Sequence, residues 1–456
     1  MIAPSLLAAA LFLQSGAALP VLTLEQALRE ARQKNLDIQQ AQARLRQAEQ
    51  LSWKAWSYYL PQVTAGGTYT RNSATAEVTL PTGYWVQDMG TLQVPPPGSK
   101  VPPGIPTNYA LQPKDLMTAV IQKQDQFGAQ LDVRQALIAP ALWPTIAAAY
   151  TGERVAGLNA ENARREVLFG VAQAYYGVAN LRELVGVAER QLALTREREK
   201  DARVRFQAGA SPKVALLRAE IDRAQAEQDL KRSQNSYQSA RLALATLLVR
   251  PVDFEVEIPP APRPPEGDPE AAALRDRPDV LAAASTVDLA KQRHTATWLK
   301  YAPSIGAFGQ LRWTNFSGFS GHETIWAAGV GVSWNLLDGG LREAEIREAS
   351  AMVAEADAAR QNAQARAVEE VRRARLDMES ALANKAKASE RVALARENER
   401  LVSVSYKAGS ATYLESTDAT ESLRQAEISL VAESLAADLA TLRLQKAAGS
   451  FGELVR

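Results

Sequence analysis

Four segments of the chain alternate apolar and polar residues with a period of two, the pattern of a strand with one apolar face. In the first, Val63, Ala65 and Tyr69 alternate with Gln62, Thr64, Thr68 and Thr70. In the second, Phe127, Ala129, Leu131 and Val133 alternate with Gly128, Gln130, Asp132 and Arg134. In the third, Ile305, Ala307, Leu311 and Trp313 alternate with Ser304, Gln310 and Arg312, and Phe308 is an exception on the polar side. In the fourth, Trp326, Ala328, Val330, Val332, Trp334 and Leu336 alternate with Ala327, Gly329, Gly331, Ser333 and Asn335. The alternation predicts strands over about 62–72, 126–138, 303–314 and 324–337. Each has about ten residues, the length a tilted strand needs to cross a bilayer. A soluble sandwich with one buried face would show the same alternation, so the strands alone leave both architectures open.

The rest of the pattern is helical. Val167, Val171, Ala174, Val178, Leu181, Val185, Ala188 and Leu192 follow alternating spacings of four and three, a heptad seam. Ile428, Val431, Leu435, Leu439 and Leu442 form a similar stripe. From Trp143 to Gln207 the only proline is Pro144, which predicts a helix ~95 Å long at ~1.5 Å per residue. A helix of that length needs coiled-coil or tube-like partners.

The pattern occurs twice. Trp56-Ser57-Tyr58-Tyr59-Leu60-Pro61 resembles Trp298-Leu299-Lys300-Tyr301-Ala302-Pro303, and Arg205-Phe206-Gln207-Ala208-Gly209 resembles Ser405-Tyr406-Lys407-Ala408-Gly409. The spacing between the copies is larger at the first landmark, which places an extra segment in the first half, within 80–124. It contains Pro81, Pro95, Pro96, Pro97, Pro102, Pro103, Pro106 and Pro113, and so reads as a loop and not a packed element. A second Pro-rich run, 251–270, reads as the linker between a repeat at 21–250 and a repeat at 271–450. Residues 451–456 form a tail.

Punctuation agrees with this order. Pro61 and Pro303 stand where helix gives way to strand, since proline ends a helix cheaply. Pro140, and Gly339 with Gly340, stand where strand gives way to helix. Gly209 and Gly409 are placed to end long helices in a left-handed residue. Ser211-Pro212 and Ser410 are expected to start the returning helices.

Composition narrows the function. A formal net charge of +1 in 456 residues offers no basic face for nucleic acid. There is no cysteine, which excludes disulfides and thiolate metal sites, and the two histidines, His294 and His322, are far apart. No cofactor or metal site is expected. No G-x-S-x-G, P-loop or triad arrangement is present, so an enzyme is not expected. Residues 1–20 read as a secretory signal peptide, apolar with small residues near the end. No later run is long and apolar enough for a transmembrane helix.

The duplicated pattern resembles the TolC-like outer membrane efflux proteins. The resemblance is carried by Trp56 to Tyr69, Phe127 to Leu142, Arg205 to Gly209, Tyr301 to Trp313, Val330 to Gly340, and Tyr406 to Thr420. It implies a mainly α fold with a membrane β-barrel, built from a duplicated unit of helix, strand, strand and long helical hairpin. It also implies a homotrimer with a 12-stranded barrel continuous with a 12-helix tunnel, set in outer-membrane lipid. The partners implied are a periplasmic adaptor (membrane fusion) protein and an inner-membrane pump.

The resemblance assigns an entrance to Glu415, Asp418 and Tyr406. Threefold symmetry would make rings of the two carboxylates, attracting cations and raising one another's pKa values. Ordinary acidic residues in the first turn of a helix would look the same. The adaptor-docking tip falls on Phe206, Ala208, Gly209, Ala210, Ser211, Ala408, Gly409 and Ser410. The Asp and Arg that latch the entrance in family members correspond to Ala215 and Ala411, so the implied closed state is looser or held differently. The expected function is a passive exit duct of an efflux or type I secretion system. A periplasmic structural coiled coil and a heavy-metal-specific duct are the alternatives.

Overall fold

The computed structural model describes residues 20–88, 109–317 and 321–451. The expected signal peptide (up to residue 19), the centre of the insertion and the tail after Phe451 lie outside the described residues.

The chain opens with a two-residue strand β1 (Val21–Leu22) and three helices, α1 (Leu24–Lys34), α2 (Leu36–Ala48) and α3 (Gln50–Ser57). Asn35 separates the first two. Its Oδ1 accepts from Asp37 N at 2.9 Å, and its amide donates to Leu247 O at 2.9 Å. Strands β2 (Gln62–Arg71), β3 (Ala76–Pro81), β4 (Tyr84–Asp88), β5 (Tyr109–Pro113), β6 (Leu116–Gln122) and β7 (Asp125–Ile138) follow. Helices α4 (Leu142–Gln207) and α5 (Lys213–Leu248) complete the first repeat. The linker carries β8 (Glu255–Val256). The second repeat contains α6 (Pro269–Asp276), α7 (Pro278–Trp298), β9 (Ser304–Thr314), β10 (Thr324–Ser333), α8 (Leu341–Lys407) and α9 (Tyr413–Ala447). No described helix is long and apolar enough to cross a membrane.

The chain divides into two compact units. One is helical and comprises the residues up to Leu51, Ala148–Lys291 and those from Ser350. Its core gathers the α4 seam, with Val171 and Val178 fully buried, against Leu244 and Leu248 of α5 and Leu442 of α9. Each such side chain contributes about 1.5–3 kcal/mol when withdrawn from water. The linker belongs to this core. β8 pairs in parallel with β1, and Phe254 and Val256 are fully buried. The buried Tyr175 hydroxyl lies 2.8 Å from Leu22 O and 2.9 Å from Glu257 O, and Arg182 donates to Val256 O. Burial pushes the Tyr175 pKa well up. The 251–270 run is thus not a plain extended linker: at 254–257 its backbone groups bond to the β1 segment and to side chains of α4 and α5.

The other unit comprises Ser52–Ala147 and Gln292–Ala349. Its sheet is antiparallel in the order β10-β9-β7-β2, so the β7–β9 pair joins the two repeats. One face carries Val63, Ala65, Leu131, Val133, Ile305, Leu311, Trp313, Trp326, Val330 and Val332, each of them paired across strands with a residue of the same face. Among the described residues, the outer edges of β2 and β10 have no further strand.

Two expectations are corrected here. The insertion is not simply a loop. β3 pairs with β6 and β4 with β5 in antiparallel ribbons. Pro81 and Pro113 sit at strand ends, where a missing N–H is tolerated, and leave Glu77 to Leu80 free to pair. The fourth strand ends at Ser333 and does not continue to 337. Ser333 pairs with Ser304, and the residue before Ser304 is Pro303, which has no N–H to extend the ladder. Trp334 instead donates from its indole to Tyr301 O at 3.0 Å.

Pro61 and Pro303 immediately precede β2 and β9. Pro140 lies in the turn before α4. Gly339 (φ 70) and Gly340 (φ 89) adopt the left-handed turn before α8.

Candidate functional site

The sequence-derived site residues gather at the two helical turns, α4 to α5 and α8 to α9. Both turns close in the same way. Ala210 N donates to Arg205 O at 2.8 Å and Gly209 N to Phe206 O at 3.0 Å; Ser410 N donates to Ser405 O at 2.9 Å and Gly409 N to Tyr406 O at 3.1 Å. This double bond pattern is the Schellman motif, and it requires the positive φ of Gly209 (72) and Gly409 (80). Phe206, Ala208, Ala210, Ala408 and Ser410 are exposed around these turns, and Ser211 is half-buried.

Of the returning helices, α5 starts at the expected Ser211-Pro212 and α9 starts later than expected. The residue before α5 is Pro212, which has no side chain to cap with. α9 is capped by Thr412 and not by Ser410, whose hydroxyl turns back to Ser405 O at 3.0 Å. Thr412 Oγ1 accepts from Glu415 N at 3.2 Å, and Glu415 Oε2 accepts from Thr412 N at 2.7 Å and from its hydroxyl at 2.9 Å. These bonds to the Thr412 backbone and hydroxyl hold the Glu415 carboxyl below the usual carboxylate range. The expected ring repulsion would act the other way. Asp418, one turn on, is exposed.

Tyr406 is half-buried. Its ring meets Tyr413 edge-on with centroids 6.2 Å apart, and the Arg205 guanidinium lies 4.9 Å over it. The Tyr413 hydroxyl donates to Asp222 Oδ2 at 2.9 Å. Burial and the neighbouring Asp222 carboxylate push the Tyr413 pKa up to about 12. Arg198 donates to Ser416 O at 3.3 Å and to Thr420 Oγ1, and lies 3.7 Å from Glu399. Tyr413, Asp222, Arg198 and Arg205 therefore tie α8 and α9 to α4 and α5. Sequence reasoning missed all four. One signal was present: Asp222 is one heptad beyond Ala215, on the same helical face.

The two hairpins differ in how they are held. Near the first turn, Arg196–Glu227 (3.1 Å), Arg223–Glu199 (2.6 Å) and Arg203–Glu220 (3.3 Å) join α4 to α5. Near the second, among the described residues, no ion pair joins α8 to α9 beyond Arg396–Glu427 at 3.1 Å. No cluster of three or more His, Cys, Asp or Glu side chains able to hold a metal is found among the described residues.

The profile of the outer membrane efflux protein family matches residues 271–450. The outer membrane efflux protein BepC of Brucella suis biovar 1 (strain 1330) is 26% identical over 221 residues, 46% of this chain and 47% of that protein, so the match spans about half of BepC. The outer membrane protein VceC of Vibrio cholerae shares the fold with a TM-score of 0.71 and 20% identity, over 93% of this chain and 96% of that one. The Campylobacter jejuni CmeC outer membrane channel does so with a TM-score of 0.73 and 15% identity, over 94% and 86%. The family profile thus lies on the second repeat, and the fold is shared with these two solved structures along nearly the whole chain.

Proposed function

We propose that the chain is a protomer of a trimeric outer-membrane duct, which passively conducts solutes delivered by a periplasmic adaptor and an inner-membrane pump. The observation that carries this reading is the four-stranded sheet. Its apolar face is open, with Trp326 77%, Val332 68% and Val330 65% exposed, and its two outer edges are unpaired among the described residues. Both features are costly in water and untenable in lipid unless copies close edge to edge. An eight-stranded closure is filled by side chains, so about twelve strands from three copies suit a conducting pore. The polar face, with Gln130, Asp132, Arg134, Gln310 and Arg312, then lines the water. No step of this function needs catalysis.

In this reading Glu415, Asp418 and Tyr406 form the entrance, and the exposed residues of the two turns receive the adaptor. Asp222, Tyr413 and Arg198 hold the entrance where Ala215 and Ala411 supply no polar side chain. The test is conductance of the purified protein in a planar bilayer beside a Glu415→Ala/Asp418→Ala double variant. Long-lived unitary currents that lose cation preference in the variant are expected. Absence of current from folded, inserted protein, with and without adaptor, would overturn the duct.

A further inference from the structure

Phe308 is the large apolar side chain that breaks the alternation of β9. By register it shares the polar face of the sheet, paired with Gly329 on β10 and Arg134 on β7. Its neighbours on that face are Gly306, Gln310, Arg312, Asp132 and Gly331. The ring is nonetheless 46% exposed.

Its position is fixed by the glycine opposite. A Cβ on Gly329 would lie 2.9 Å from Phe308 Cζ and 3.1 Å from Cε1, closer than carbon atoms pack. Only glycine lets the ring lie across β10 instead of standing up from β9. One part of the ring covers the Gly329 backbone and the rest faces outward. On the other side stands the exposed Arg134, directly paired with Phe308, and directly paired residues have Cβ atoms about 4.5–5.5 Å apart. Arg312 and Asp132 are the next charges on this face, which leaves the surroundings of the ring net positive.

A flat apolar surface with an arginine at the paired position of the next strand fits one class of solute: an organic anion with an aromatic body, stacking on the ring while its carboxylate or sulfonate meets Arg134. We infer that Phe308, placed by Gly329 and paired with Arg134, is a contact point for aromatic anions on the conducting face. This rests on the duct reading above. Covering a strand glycine is the competing structural role. It accounts for the ring on Gly329, but it makes no demand for the arginine paired with Phe308 on β7.

The test is single-channel recording with pyrenesulfonate in either chamber, and pyrenemethylammonium as the cationic counterpart. Pyrenesulfonate should interrupt the wild-type current in brief blocks. Phe308→Ala should shorten the mean block about tenfold, the loss of one stacking contact. Phe308→Tyr should retain it. Arg134→Gln should shorten the sulfonate block and leave the cation's unchanged. Phe308→Leu keeps an apolar cover over Gly329 without a ring and should behave like Phe308→Ala. A block of wild-type length in Phe308→Ala or Phe308→Leu channels of normal conductance would overturn the inference and leave the duct standing. Steady wild-type currents that the probe never interrupts would overturn it as well. A folded, inserted protein that carries no current would remove the duct, and this inference with it.

Discussion

Tyr413 donates a 2.9 Å hydrogen bond to Asp222, so the first residue of α9 is tied to the side of α5. The first hairpin has its own ladder of ion pairs near its turn, and the second depends on this bond, on Arg198 and on the Arg205–Tyr406 contact. Tyr413→Phe should therefore loosen the second turn alone. About 1 kcal/mol for a partly buried hydrogen bond corresponds to about a fivefold rise in local opening. Limited proteolysis should show faster cleavage within 408–412 and unchanged cleavage within 208–212. Equal rates at both turns in the variant and wild type would remove the tether. The bond also has a pH window. Tyrosine ionises near 10 when exposed, and here its pKa is raised to about 12. The stabilisation is fully present below pH about 10 and is lost as pH rises through about 12. Ultraviolet titration of the phenolate in wild type against Tyr413→Phe measures it.

The Thr412–Glu415 capping box sets where α9 begins. Thr412→Ala should cost about 1 kcal/mol, and Thr412→Ser much less, because a hydroxyl in the same place restores the cap. Hydrogen exchange at the Glu415 amide should accelerate in the alanine variant. Glu415 titrates below the usual carboxylate range, so its contribution is present above the ordinary carboxylate pKa and fades as pH falls through the depressed value. In Thr412→Ala that acid dependence should weaken. An acid profile identical to wild type would show that the cap does not govern Glu415.

Tyr175 is fully buried, with its hydroxyl shared between Leu22 O and Glu257 O. Tyr175→Phe keeps the ring and removes one donor shared by the two carbonyls, of which Leu22 O retains the Glu257 N–H at 3.2 Å. The expected loss is about 1–3 kcal/mol of stability, read by thermal denaturation. Unitary conductance should not change, because the side chain faces the helical core and no solute path. A variant as stable as wild type would mean that water replaces the hydroxyl.

Much of this architecture is visible in the residues themselves. Alternation around Val63, Leu131, Leu311 and Val330 marks the strands of the sheet, because each has one polar face. The Val171–Val178 seam marks α4, and the glycines at 209 and 409 mark the turns. The ribbons of the insertion were obscured because prolines dominate its composition, although they fall at strand ends where they do no harm. The α9 cap was missed because Ser410 and Thr412 are both plausible N-caps by type, and only the reciprocal bond from Glu415 distinguishes them. The Tyr413–Asp222 bond is invisible in sequence because it joins residues 191 positions apart. Of the residues proposed for the entrance, the structure brings Tyr406 into the same cluster as that bond and gives Glu415 a local capping role.

The core around α4 draws on both ends of the chain. Leu22 comes from the first described strand, Val256 from the linker, Leu442 from α9, and Phe451 from just beyond the second repeat. The first repeat is therefore never a finished domain while the second is being made. Its core lacks Leu442 and Phe451 until α9 and the residues after it are made. Such contacts are far apart in sequence, and chains rich in them fold slowly and pass through forms that expose apolar surface. The two halves look alike, but they share one core: a chain that stops before Leu442 lacks the last wall of a core it began building at residue 22.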